Sequence, residues 1–211
     1  EELKRLKNEV VRLAEKVENA FQRSIEAVQK DDVQAMDEII EADEEINDLE
    51  LTINENATLL IAKQQPVASD LRKIVVCLKV SSDLERIGDL TVDIAKAGKR
   101  LHDNKTFKQH KAPLWEMAEK ANKMIREAIV AFDAADIFEA QKIAAEDDEI
   151  DRAYGAFVKS LFNMQIENND DVEQLTQLAF ISRYVERIAD YCTNISEWII
   201  YEVNGKRIDL N

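Results

Sequence analysis

Two acidic motifs have residue types and a spacing that suit metal chemistry. The first pairs Glu85 with Asp89, and the second pairs Glu186 with Asp190. Side chains four residues apart lie one turn apart on the same face of an α-helix, so each motif would present two carboxylates together. Carboxylate oxygens are ligands of hard multivalent cations. The motifs therefore predict two cation-binding faces.

Further oxygen-bearing side chains recur around these motifs. They are Asp43 and Asn47 in the first half of the chain, Asp147 and Asp151 in the second half, and Asp93 and Asn194 one turn beyond the motifs. One constant shift superposes segment 81–95 on segment 182–196, and a nearly equal shift superposes Asp43 on Asp147. This repetition indicates that the chain contains two copies of one unit.

The elements that must position these residues are predicted to be long helices. The 211 residues include only four Gly and two Pro, and apolar residues recur with a 3.6-residue period almost throughout. Six helices are predicted, over about 3–29, 33–64, 70–101, 113–132, 136–167 and 172–203. Asp31 or Asp32 would cap the second helix, Ser69 or Asp70 the third, and the turn at Asn168–Asp171 the sixth. Asn204 and Gly205 would end the sixth helix. This pattern predicts an all-α fold of two tandem pseudo-symmetric three-helix bundles, over residues 1–101 and 113–205, joined by a linker at 102–112.

Helix geometry predicts that the acidic residues of the first unit meet. Asp43 and Asp89 lie equally far before and after Pro66 in the sequence, and the same is true of Asn47 and Glu85. Because every helical residue rises by about 1.5 Å, antiparallel helices that turn at this proline place each pair at one level.

The second unit follows the same rule. Asp147 and Asp190 are equally distant in sequence from the turn at 168–169, and so are Asp151 and Glu186. Like charges at one level need compensation, and a multivalent cation supplies it. The alternative is a set of ordinary ion pairs, in which arginines three residues before the aspartates offset their charge.

Composition narrows the classes of function. The formal charge of −15 disfavours binding to nucleic acid or to anionic membranes, and no stretch is apolar enough for a membrane span. The two cysteines, Cys77 and Cys192, lie inside helical patterns, which is typical of reduced thiols in the cytoplasm. The only histidines, His102 and His110, lie in the predicted linker, and a ferritin-like di-iron site needs histidines on its helices. No phosphate-binding glycine loop or catalytic triad pattern is present.

These residues resemble the PhoU family, regulators associated with bacterial phosphate uptake. The resemblance rests on Pro66 and on segments 70–72, 84–89 and 185–190, and it covers essentially the whole chain. It continues through a tail of Asn194, Glu197, Trp198, Tyr201 and Gly205. Ala189 departs from the glycine that is frequent in the family. Asn194 occupies the position of the second repeat that is equivalent to Asp93 in the first, which leaves the third ligand of the second site open.

The resemblance implies a cytoplasmic, often homodimeric protein that holds metal ions on its acidic faces. Iron is the first metal it implies, with Mg, Mn, Ca and Zn as alternatives. It also implies a non-enzymatic negative regulator of phosphate uptake and of the phosphate-starvation response. The implied partners are the ATPase subunit of the phosphate ABC transporter and a sensor histidine kinase. Two other classes stay open, namely a metal-dependent phosphate-handling enzyme and a purely structural helical scaffold.

Overall fold

The computed structural model describes residues 1–101 and 108–210, and these residues form six long α-helices. The helices are α1 (Glu2–Lys30), α2 (Val33–Gln64), α3 (Ala68–Arg100), α4 (Ala112–Ala134), α5 (Ile137–Phe162) and α6 (Asn169–Asn204). A short 3-10 helix, Gln109–Lys111, precedes α4. The described residues contain no β-strand, which confirms the predicted all-α fold class. None of these helices carries an apolar stretch long enough to cross a membrane.

Side-chain caps define several of the helix ends that the sequence predicts. The Asp32 side chain accepts a hydrogen bond from the backbone N–H of Ala35 at the start of α2. The Asn168 side chain does the same for Asp171 at the start of α6. Gly205 ends α6 with φ of 70°, a left-handed conformation that glycine adopts without a steric penalty.

Two predicted helix ends are wrong. Helix α3 begins at Ala68, and its cap is the extended residue Val67 rather than Ser69 or Asp70. The Val67 carbonyl accepts the N–H of Asp70, so no side-chain cap is needed and Asp70 lies in the first turn instead. Helix α5 ends at Phe162 instead of residue 167, because the chain beyond it leads into the Asn168 cap of α6.

The helices pack as two triangles joined along two seams. Helices α1, α2 and α3 contact one another, as do α4, α5 and α6, while α3 packs on α6 and α1 packs on α4. Arg72 near the start of α3 donates to the carbonyl of Glu202 near the end of α6, so α3 and α6 run antiparallel. An ion pair of 3.8 Å between Arg126 and Glu18 lies along the other seam.

One apolar core extends through both triangles. It includes Leu84 and Ile87 from α3 together with Ile188 and Ile195 from α6, all at most 2% exposed. Burial of this surface holds the α3–α6 seam together. Residues 102–107 of the predicted linker, including His102, lie outside the described residues, and the division at 102–112 stays a prediction.

Gly98 and Gly155 provide a matched test of close packing. A Cβ on Gly98 would lie 2.5 Å from Cγ2 of Val28, whereas a Cβ on Gly155 would have no neighbour within 4 Å among the described residues. We expect Gly98→Ala to lower the free energy of unfolding by about 1–2 kcal/mol because of overpacking. Gly155→Ala should raise it by up to about 1 kcal/mol through helix propensity. Denaturant unfolding of both variants measures the difference, and equal effects would contradict the packing described here.

Candidate metal centres

The first acidic centre lies between α2 and α3. The Asn47 amide donates a hydrogen bond of 3.3 Å to Oδ2 of Asp43. Burial raises the pKa of Asp43, and the facing Asp89 carboxylate raises this pKa further. Asp43 and Asp89 therefore face each other across the helix pair, as the level-matching predicts.

Close helix packing buries part of this first centre. A Cβ on Gly88 would lie 3.2 Å from Ile46 of α2 and 3.7 Å from Oδ1 of Asp43. This Oδ1 atom is buried and has no hydrogen-bond partner among residues 1–101 and 108–210. A buried acceptor without a partner is costly, and a bound cation would satisfy it.

The second acidic centre lies between α5 and α6 and is deeper. One carboxylate oxygen from each of Asp147, Asp151 and Asp190 lies within 4.8 Å of the other two. Asp147 is fully buried, and Asp151 is exposed at the mouth of the centre. Three converging carboxylates at such separations can coordinate one hard cation together.

Glu186 completes the second centre and is 8% exposed. Burial raises the pKa of Glu186 to about 7, and the Asp190 carboxylate contributes to this increase. Arg183 also approaches Glu186, and its Nη1 lies 2.5 Å from Oε2.

Glu85 has the corresponding position in the first centre. Burial raises its pKa to about 7, and the charge of Asp89 and a hydrogen bond to Asp89 add to this effect. A proton therefore offsets part of the repulsion when no cation is bound. A multivalent cation would replace this proton. Among the described residues, Asp147, Asp151 and Asp190 of the second centre bring three carboxylate oxygens within 4.8 Å of one another, whereas the carboxylates of the first centre do not converge to this extent.

Ion pairs compensate the two centres only in part. Arg86 lies 3.6 Å from Asp89, which matches the alternative of i,i+3 pairs, but its side chain is 62% exposed. The first centre contains three carboxylates, from Asp43, Glu85 and Asp89. One exposed guanidinium leaves most of this charge unbalanced.

Asp93 and Asn194 lie one turn beyond the main motifs in the sequence, and their surroundings differ from those of the main motifs. Burial raises the pKa of Asp93, while Lys96 and Arg187 oppose this shift and Asp89 adds to it. Asp93 therefore faces both the first centre and Arg187 of α6. Asn194 is half-buried one turn beyond Asp190 and stays a predicted ligand.

The sequence profile of the PhoU domain matches residues 10–98 and 114–199, one match for each half. The chain belongs to the PhoU family. It is 38% identical over 211 residues to the phosphate-specific transport system accessory protein PhoU homolog of Clostridium acetobutylicum, covering 100% of this chain and 96% of that protein. It is 32% identical to the PhoU protein of Escherichia coli, covering 97% of this chain and 85% of that protein.

Two solved PhoU structures share the fold. The crystal structure of PhoU from Pseudomonas aeruginosa has a TM-score of 0.91 at 29% identity, covering 97% of this chain and 98% of that one. The phosphate transport system regulatory protein PhoU from Streptococcus pneumoniae has a TM-score of 0.91 at 30% identity, covering 99% and 98%. The PhoU fold therefore extends over nearly the whole chain.

Sequence reasoning missed three residues beside the centres. Glu50 lies close enough to Glu85 to raise its pKa, and the guanidinium of Arg183 lies 5.9 Å from the ring centroid of Tyr154. The level-matching that identified the aspartates also applies to these positions. It would have found them if it had been continued one turn further along each helix pair.

The raised pKa values of Glu85 and Glu186 predict that the stability of the metal-free protein depends on pH. Folded Glu85 and Glu186 have pKa values of about 7, whereas the ordinary value is 4.5. The folded state binds more protons between these values, so stability decreases as the pH rises through this window. We expect the melting temperature, measured by circular dichroism with a chelator, to fall between about pH 5 and pH 8.

The double variant Glu85→Gln/Glu186→Gln should have a flatter profile, since its amides do not titrate. Glu44→Gln/Glu173→Gln removes the same charge from exposed positions and should keep the wild-type slope. An equally steep fall in the first double variant would show that other groups cause the dependence.

Proposed function

We propose that this chain is a metal-dependent regulator of phosphate transport that acts through protein contacts and not through catalysis. The observation that carries this proposal is the matched pair of acidic centres, one between α2 and α3 and one between α5 and α6. The relatives are accessory proteins of phosphate-specific transport systems, and their names supply the biological context.

The proposed role of the cations is mechanical. A bound cation supplies positive charge between facing carboxylates, and the residues that would hold it are Asp43, Glu85 and Asp89 in the first centre. Asp147, Asp151, Glu186 and Asp190 would hold it in the second. Loss of the cation restores repulsion between an outer helix and the α3–α6 seam, which loosens the outer helix. The acidic faces would thus be rigid only when cations are bound.

We further propose that the loaded form contacts the ATPase subunit of a phosphate ABC transporter and a sensor histidine kinase. When phosphate is plentiful, these contacts would restrain uptake and the starvation response. The net charge of −15 favours basic surfaces on such partners. The proposed role therefore assigns the protein to the cytoplasm.

Metal analysis of the purified protein tests the ligands. Asp43→Asn/Asp89→Asn should remove the ions of the first centre, and Asp147→Asn/Asp190→Asn those of the second. Asp148→Asn is the control, because Asp148 is exposed beside Asp147 and lies outside the cluster identified above. Unchanged metal content in both double variants would overturn the ligand assignment.

Thermal melting gives an independent readout. Mn²⁺ at about 100 times its dissociation constant should stabilise the folded protein by roughly 2.7 kcal/mol. For a chain of this size this corresponds to an increase in melting temperature of about 5–10 °C. Each double variant should lose part of this increase. If Mn²⁺ does not change the melting temperature of the wild-type protein, the proposed mechanical role is wrong.

Co-purification from cells grown with and without phosphate tests the partners. The wild-type protein and Asp148→Asn should retain the ATPase subunit and the histidine kinase in phosphate-rich cells. The two double variants should retain less of both. If the wild-type protein retains neither partner under either condition, the adaptor role is wrong, whatever the metal content.

A further inference from the structure

A short segment after α6 folds back over the seam between α3 and α6. Gly205 ends α6 with φ of 70°, a left-handed conformation that turns the chain away from the helix axis. The backbone N–H of Leu210 then donates a hydrogen bond of 3.2 Å to Oε1 of Glu197, which lies 13 residues earlier in the chain. We call residues 206–210 the return segment, because they lie along the last turns of α6.

The return segment contacts α6 through a positive side chain. Nη2 of Arg207 lies 3.6 Å from Oε2 of Glu197, and the Glu197 side chain is only 7% exposed. The Arg207 guanidinium also lies 4.7 Å from the centroid of the Trp198 ring. A guanidinium between an indole ring and a carboxylate gains both a cation–π contact and an ion pair. This end of α6 therefore presents a site that suits arginine.

Helix α3 supplies the other wall of this site. Nζ of Lys79 lies 5.7 Å from the centroid of the Trp198 ring. Asp83 lies one turn further along α3, where burial raises its pKa to about 7, the charges of Lys79 and Arg207 oppose this increase, and Glu197 adds to it. The charges of both helices thus act on Asp83. We call the surface formed by Lys79, Asp83, Glu197 and Trp198 the seam groove.

The return segment leaves one carboxylate of the seam groove without a donor. Oδ2 of Asp83 is buried and has no hydrogen-bond partner among residues 1–101 and 108–210. Arg207 acts on Asp83 by its charge, but its ion pair is with Glu197. A buried acceptor without a donor is costly. A ligand with a second basic side chain that reaches Asp83 would therefore fit the groove better than the return segment does.

The contacts of the return segment are weak enough for it to be displaced. The Arg207 side chain is 58% exposed, and ion pairs of exposed side chains contribute little to stability. Lys206, Ile208 and Asp209 are exposed as well. A short segment with few buried contacts opens at a low cost in free energy. An external segment with the same chemistry can therefore compete with it.

We propose that the seam groove is a docking site for a basic, extended segment of a partner protein, and that the return segment is its displaceable internal occupant. The partner segment carries one basic side chain for Glu197 and Trp198 and a second one for Asp83. The net charge of −15 attracts such a segment. The docking role rests on the proposed function, in which the chain acts through protein contacts, but it requires no bound cation.

A synthetic peptide with the sequence of residues 204–210 is the probe. An NMR titration in the presence of a chelator follows the indole N–H signals of the two tryptophans. The signal of Trp198 should shift as peptide is added, because its ring lies in the seam groove. The signal of Trp115 in α4 should not shift and serves as the internal control.

A second arginine in the peptide tests the role of Asp83. One of the two peptides that carry Ile208→Arg or Asp209→Arg should bind the wild-type protein about tenfold more tightly than the unchanged peptide, since it supplies a donor to the buried carboxylate. The protein variant Asp83→Asn should lose this advantage. Asp48→Asn removes the same charge from an exposed position on α2 and should keep it.

Two matched protein variants test the internal occupant. Arg207→Ala weakens the return segment and should tighten binding of the peptide by about tenfold, because a larger fraction of the protein has an open groove. Lys206→Ala removes the same charge from the neighbouring exposed residue and should keep the wild-type affinity. Glu197→Gln should weaken binding, whereas Glu173→Gln, at an exposed position of α6, should not. Circular dichroism verifies that each variant folds.

The outcomes separate the docking site from the proposed function. Equal affinities of Arg207→Ala and Lys206→Ala, or no shift of the Trp198 signal in Arg207→Ala with any of the peptides, would overturn the docking site and leave the co-purification of the partners unaffected. If the peptides bind as expected but the wild-type protein retains neither partner from cells, the docking site stands and the proposed function is wrong.

Discussion

Repulsion between carboxylates on facing helices is the interaction around which this structure is organised. Asp43 faces Asp89 across one helix pair, and Asp147 converges with Asp190 across the other. Each pair of helices would separate if this interaction acted alone. The apolar core beneath the carboxylates holds the helices in contact, so the charge must be offset locally by protons, arginines or cations.

The antiparallel α3–α6 seam makes the two centres parts of one molecule. It connects Arg72 to Glu202 at one end and brings Asp93 towards Arg187 near the middle. Because the core is continuous across this seam, a change in the packing of an outer helix acts on the helix that the other centre also uses. This coupling is compatible with the proposed role as a regulator that acts through protein contacts.

Internal duplication makes the differences between the halves informative. The two halves have the same helix arrangement, so equivalent positions lie at equivalent places. A different side chain at such a position therefore changes the local chemistry of one half only. Tyr154 and Arg183 in one half match Glu50 and Ser82 in the other. At this level the first half thus has a carboxylate and a hydroxyl, while the second half has a ring and a guanidinium that pairs with Glu186.

The sequence by itself determined the helices, the duplication and the levels at which acidic residues meet, because helical rise per residue is constant and caps such as Asp32 act locally. It did not determine the cap of α3 at Val67 or the end of α5 at Phe162, where backbone contacts and the next turn prevail. Only the tertiary structure decided how deeply each carboxylate is buried and which arginine reaches it. Burial, and contacts between side chains that are distant in the sequence, depend on all neighbouring helices together. No local sequence pattern encodes these combined effects.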